Sequence, residues 1–219
     1  MKHVFRADGI QLSFGLRCIL SDIYIGSETG MITGLLGRNG QGKSCLMNII
    51  YGTLPTTDKS VRVDDARLLE AFRRPDLLTY LPQFNYIPKH LRLRRIFLDF
   101  ELSFDHFLSH FPEYQKVYEL PVGSLSGGQR RLVEVYCLIK SKALFTMLDE
   151  PFSHLSPVQV ERLKLVMEEE LPAKGFLVTD HMYHYLLGFC HQVYVLQNGK
   201  THLTKSREDI ERLGYLAGA

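Results

Sequence analysis

Gly37 to Ser44 reads GRNGQGKS, with glycine, lysine and a hydroxyl residue spaced as G-x-x-x-x-G-K-[ST]. That spacing cradles phosphate. Glycines at 37, 40 and 42 allow positive φ and let backbone amides approach phosphate oxygens. Lys43 offers a point charge to the β- and γ-phosphates, and Ser44 offers a hydroxyl to a bridging Mg²⁺. Arg38, Asn39 and Gln41 fill the loop, and Cys45 follows in the first turn of an expected helix. The motif needs a strand before it and a helix after it. Met31–Leu36 is apolar and of strand length, and Lys43–Ile50 suits a helix, so both are expected.

Further residues could serve the same chemistry. The apolar run from Ala143 ends in Asp149 and Glu150. Adjacent residues on a strand face opposite ways, so one carboxylate suits Mg²⁺ and the other suits a base that polarises water. Gln83 and His181 also follow expected strands, Leu77–Leu81 and Gly175–Thr179, where polar side chains face the site of an open α/β sheet. Read singly, each is better taken as a loop residue with no role. Ser126, Gly127, Gly128 and Gln129 precede a periodic stretch. They read as a capped helix start, or as one cleared for an anion. Phe14 is either a core phenylalanine or a stacking face for a base.

The elements that must hold these residues follow from patterning. Short alternating runs between His3 and Ile25, with turns expected at Asp8-Gly9, Gly15 and Gly26, give a small antiparallel sheet. Val61–Val63 is a further strand. Apolar groups at helical spacing from Ile96 to Phe111, broken by Pro112, predict two or three helices in an inserted lobe spanning residues 84–142. Within it, the basic cluster from His90 to Arg95 is a solvated face or a docking patch. Pro157–Leu171 is a helix, Val193–Leu196 and Lys200–Leu203 form a hairpin through Asn198-Gly199, and Ser206–Leu213 closes the chain. The fold class is α/β: a phosphate-loop core with a mostly parallel sheet, an N-terminal antiparallel layer and the helical insertion, in one domain of residues 1–219.

Composition narrows the partners. With 219 residues, 45% of them apolar, a sizeable core is available. A balance of 26 basic to 24 acidic residues gives no electrostatic reason to expect nucleic acid. The four cysteines have no metal or disulfide spacing, which suits a reducing compartment. No apolar run reaches the length of a membrane span, and the N-terminus lacks the pattern of an export signal.

Taken together, GRNGQGKS, Gln83, LSGGQ at 125–129, the strand ending in Asp149-Glu150, and His181 resemble the ATP-binding cassette (ABC) ATPases across nearly the whole chain. The resemblance implies ATP and Mg²⁺ as ligands and two cassettes closing head to tail, either a homodimer or a pair with a paralogous ATPase. It assigns Phe14 to adenine, residues 37–45 to the phosphates, and Ser44, Gln83 and Asp149 to Mg²⁺. Glu150 becomes the general base, His181 and Lys43 contact the γ-phosphate, and Ser126 to Gln129 reach the nucleotide of the other subunit. The partner it implies is a separate integral-membrane transporter subunit, gripped through the lobe and the stretch Phe84, Tyr86, Ile87, Pro88 and Lys89. That places the chain peripherally, on the cytoplasmic side of the membrane. The alternative is a soluble cassette acting on nucleic acid or ribosomes. Two positions depart from the family: Cys45 where a second hydroxyl is usual, and Ser156 where an aspartate is usual, which puts cross-subunit communication in doubt.

Overall fold

The computed structural model describes residues 1–180, 183–204 and 206–213. Its strands are β1 (Val4–Phe14), β2 (Arg17–Glu28), β3 (Ile32–Leu36), β4 (Ser60–Val63), β5 (Ala66–Arg67), β6 (Leu78–Leu81), β7 (Phe145–Asp149), β8 (Gly175–Thr179), β9 (Gln192–Gln197) and β10 (Lys200–Thr204). Its α-helices are α1 (Lys43–Tyr51), α2 (Leu93–Asp99), α3 (Phe104–His110), α4 (Gly127–Ile139), α5 (Pro157–Glu170) and α6 (Arg207–Arg212).

Two sheets result. One is antiparallel, in the order β2-β1-β4-β5. Its long hairpin turns at Gly15, as expected, but Asp8-Gly9 is a register shift inside β1 and Gly26 lies within β2. The expected turns there are bulge and strand, because the cross-strand ladder outweighs the local turn preference of glycine. The other sheet runs β10-β9-β3-β8-β7-β6, parallel except for β10. Strands β3, β6, β7 and β8 are buried at every position, as parallel strands covered on both faces must be. One core packs α1 between the two sheets, and a second packs α4, α5 and the lobe on the far face of the parallel sheet.

The lobe's apolar spacing becomes an aromatic cluster. Phe97, Phe107 and Phe111 surround Tyr136 of α4, and Tyr114 packs on Phe107 and Phe111, with Phe97 to Phe107 at 5.0 Å and Phe107 to Tyr136 at 4.8 Å between ring centroids. Pro112 does not simply stop a helix; it opens a 3₁₀ segment, Pro112–Val117. In the basic cluster, Arg92 and Arg94 face Glu119 and Arg95 pairs with Asp99 at 2.7 Å, all at exposed positions. Of the stretch expected to grip a partner, Ile87 is buried, with its amide donating to Glu134, and Tyr86 is half-buried. Phe84, Pro88 and Lys89 stay exposed.

Candidate functional site

Because β3, β6, β7 and β8 run parallel in adjacent register, their carboxyl ends open at one edge of the sheet. Ligands of open α/β sheets sit there. After β3 the chain crosses from Gly37 to Gly42 and enters α1. Gly42 has φ 98°, which a side chain resists. The first turn of α1 has no side-chain cap and no acidic residue, so its amides and the positive end of its dipole face the opening. Gly37 does not use positive φ, contrary to expectation; it is small because a Cβ there would lie 3.0 Å from both the Gln41 Oε1 and the Leu196 carbonyl oxygen. The loop is held locally by Arg38 N–H donating to Gln41 Oε1 at 2.8 Å.

Lys43 folds back across this loop, its Nζ donating to the Gly37 carbonyl at 2.7 Å and the Arg38 carbonyl at 3.4 Å. Burial pulls its pKa down, while the nearby carboxylates of Glu150, Asp149 and Asp180 oppose that shift. Asp149, at the end of β7, is fully buried; its Oδ2 accepts from the Tyr80 hydroxyl at 3.2 Å and its Oδ1 has no partner. Burial raises its pKa, and hydrogen bonds from Ser44 and Tyr80 resist the rise. An orphaned carboxylate oxygen beside a serine hydroxyl fits a hard dication, which takes oxygen ligands.

Glu150 lies just beyond β7 with φ 50°, so it is aimed by a left-handed turn rather than by strand alternation. Its amide donates to the Thr179 carbonyl at 2.8 Å. Arg131, from α4, donates to the carbonyls of Pro82 at 2.7 Å, Asp149 at 2.6 Å and Glu150 at 3.1 Å, clamping the end of β6 to that of β7. Gln83 follows β6 after Pro82 and is exposed.

These pieces enclose a cleft of about 600 Å³, lined by Phe14, Asn39, Gly40, Gly42, Lys43, Ser44, Cys45, Gln83 and Glu150, with Arg17 and Ile19 completing the wall. Phe14 is 56% exposed and therefore not a core residue. Gly37, Arg38 and Gln41 shape the loop without lining the cleft, and Asp149 lies beneath it. The 126–129 segment is elsewhere. Ser126 caps α4, its hydroxyl accepting from the Gln129 amide at 3.2 Å while the Gln129 side chain accepts from the Ser126 amide at 3.0 Å. Gly127 lines a separate groove of about 340 Å³ with Gln83, Phe84, Asn85, Arg131, Glu150, Ser153 and His154. Gln83 and Glu150 border both spaces. His181 lies outside the described residues. Ser156, the departure at an aspartate position, caps α5 through a reciprocal bond pair with Gln159.

Sequence reasoning missed Tyr80, Arg131, Asp180, Arg17 and Ile19. Asp180 shares with Gln83 the signal of a polar residue after a buried strand. The others had none, because each acts from an element whose position the fold alone fixes.

A family model described as ABC transporter matches residues 20–153. A probable ABC transporter ATP-binding protein of Azorhizobium caulinodans is 30% identical, covering 93% of this chain and 78% of that protein. The lipopolysaccharide export system ATP-binding protein LptB of Acidithiobacillus ferridurans is 28% identical over 96% of this chain and 93% of its own. Among solved structures, an ATP-binding subunit of an ABC transporter superposes with a TM-score of 0.80 over 99% of this chain and 95% of that one, at 19% identity. A nucleotide-free ABC cassette gives 0.77 over 96% and 94%, at 22% identity.

Proposed function

This chain belongs to the ABC transporter family, and from that membership we propose that it is the subunit that binds and hydrolyses ATP, acting as one domain with residues 84–142 as its helical lobe. The observation that carries the reading is the cleft that gathers Phe14, the phosphate loop, Gln83 and Glu150 while leaving the 126–129 segment outside. A site missing one wall in its own chain is completed by a second cassette related by two-fold symmetry.

In that arrangement adenine stacks on Phe14, the loop amides and the start of α1 hold the phosphates, and Lys43 leaves its carbonyl partners for the β- and γ-oxygens. Ser44, Asp149 and Gln83 hold Mg²⁺, which when bound neutralises charge on the phosphate oxygens. Glu150 accepts a proton from the attacking water as it adds to the γ-phosphorus in line with the departing ADP oxygen. His181 contacts the γ-phosphate, and Ser126, Gly127, Gly128 and Gln129 of the second cassette close over it. Hydrolysis removes the charge that holds the pair together, so the dimer opens and resets.

The force of that cycle passes to a separate integral-membrane subunit, with the chain peripheral on the cytoplasmic side. Among the described residues no helix is long and apolar enough to cross a membrane. Phe84, 72% exposed beside Gln83, supports a contact that couples partner to nucleotide. Nothing favours the alternative of a cassette acting on nucleic acid or ribosomes. The test is Glu150→Gln: with ATP and Mg²⁺ it accumulates as a dimer by light scattering while turnover falls by about 100-fold or more. A variant that stays monomeric, or hydrolyses at the parent rate, removes the reading.

A further inference from the structure

On the side of the molecule formed by α3 and α5, away from the cleft's lining residues, two imidazoles and a carboxylate converge. His106 and His110 are one helical turn apart on α3, and both point their Nε2 atoms at Glu169 of α5, at 3.2 Å and 3.1 Å respectively. The three donor atoms lie within 4.8 Å of one another. Tyr136, buried in the aromatic cluster of the lobe, places its hydroxyl 2.7 Å from His106 Nδ1.

We propose that His106, His110 and Glu169 form a binding site for a divalent transition ion of the zinc class. Histidines at i and i+4 present both rings on one face, and two imidazoles with one carboxylate are a three-ligand zinc set that keeps a fourth position for water. In a tetrahedral site with bonds of about 2.0–2.1 Å, neighbouring ligand atoms are about 3.3 Å apart; His106 Nε2 lies 3.2 Å from Glu169 Oε2 and His110 Nε2 lies 3.1 Å from Oε1, so a rotation of the carboxylate is what brings a single oxygen to both rings. The Tyr136 hydroxyl is the outer partner that such a histidine needs: with Nδ1–H donated to it, Nε2 is left as the lone-pair donor toward the ion. Imidazole ligands select zinc, copper or nickel over magnesium, so this site is chemically separate from the oxygen ligands under the phosphate loop. The part-exposed rings leave it open to ions from solution. Its consequence is mechanical. Beyond the ion pair of Arg162 with Glu113 at 3.3 Å, the ion ties the lobe to α5 on the parallel sheet.

The experiment uses the whole chain without nucleotide and with millimolar Mg²⁺ throughout to saturate hard-cation sites. Zn²⁺ titration by calorimetry is expected to give one ion per chain, and Zn²⁺ at a hundredfold over its Kd raises Tm by about 5–10 °C. Co²⁺ in its place gives the visible absorption of a tetrahedral ion. His106→Gln, His110→Gln and Glu169→Gln each weaken binding by about tenfold or more, whereas His202→Ala on exposed β10 leaves it unchanged. X-ray absorption of the zinc-loaded parent chain counts nitrogen and oxygen neighbours with no sulfur, a reading that needs no variant to fold. Absence of stoichiometric uptake, sulfur in the first shell, or uptake that survives in the His106→Gln/His110→Gln double variant overturns the proposal.

Discussion

Two adjacent glycines, Gly127 and Gly128, should respond oppositely to the same methyl group. A Cβ built on Gly127 meets nothing within 4 Å among the described residues, whereas one on Gly128 falls inside 3.0 Å of the His154 carbonyl oxygen. Both residues are helical, at the start of α4. At Gly127 alanine only restricts the unfolded chain and improves helix propensity, a gain of about 0.5–1 kcal/mol. At Gly128 the turn after Glu150 must move by on the order of 1 Å, and overpacking of that kind costs about 1–3 kcal/mol. For a chain of this size each kcal/mol shifts Tm by about 2–4 °C, so Gly127→Ala rises by a few degrees and Gly128→Ala falls by up to about 10 °C. Nucleotide-free melting measures this directly. Activity should not follow stability. In the Glu150→Gln background, light scattering with ATP and Mg²⁺ should find Gly127→Ala defective in dimer formation although it is the more stable protein, since under the proposed function the space it fills is where the second cassette's nucleotide would pack. A Gly127→Ala chain that loses stability as Gly128→Ala does, or that dimerises normally, refutes the reasoning.

Phe14→Ala should weaken ATP binding by about 5- to 100-fold, the loss of one stacked base, while Tm stays within about 2 °C because the ring is more than half exposed; fluorescent-nucleotide titration measures the first and melting the second, and Phe14→Tyr restores affinity. Asp149 has its pKa raised by burial, so in the folded state it binds protons more tightly than when unfolded; stability of the nucleotide-free chain therefore falls as pH rises from the ordinary carboxylate range through the folded pKa. Asp149→Asn removes that dependence and stabilises the nucleotide-free chain at pH 7 by about 1–3 kcal/mol, a gain that vanishes in acid; denaturant unfolding across the pH range checks it, and a destabilised variant at pH 7 contradicts it.

The sequence by itself determined the phosphate loop, the strand before it and the helix after it, because local spacing and backbone permissiveness suffice to specify them. It also placed Asp149, Gln83 and Phe14 at the ends of strands, since a buried run followed by a polar or turn residue marks such an end in one dimension. It determined family membership through motifs in order. Tertiary structure decided which residues share a space. Strand order put β8 between β3 and β7, so Asp180 faces Lys43, and no local pattern encodes strand order. The Arg131 clamp joins α4 to the ends of β6 and β7 across sequence separations that periodicity does not span. Asp8-Gly9 became a bulge because pairing along the hairpin outweighed a turn preference, and Glu150 left its strand because a left-handed residue redirected the chain. The His106, His110 and Glu169 cluster was invisible for the same reason: two of its members share a helix face, but the third comes from another helix, and only the packing of α3 against α5 brings it within reach.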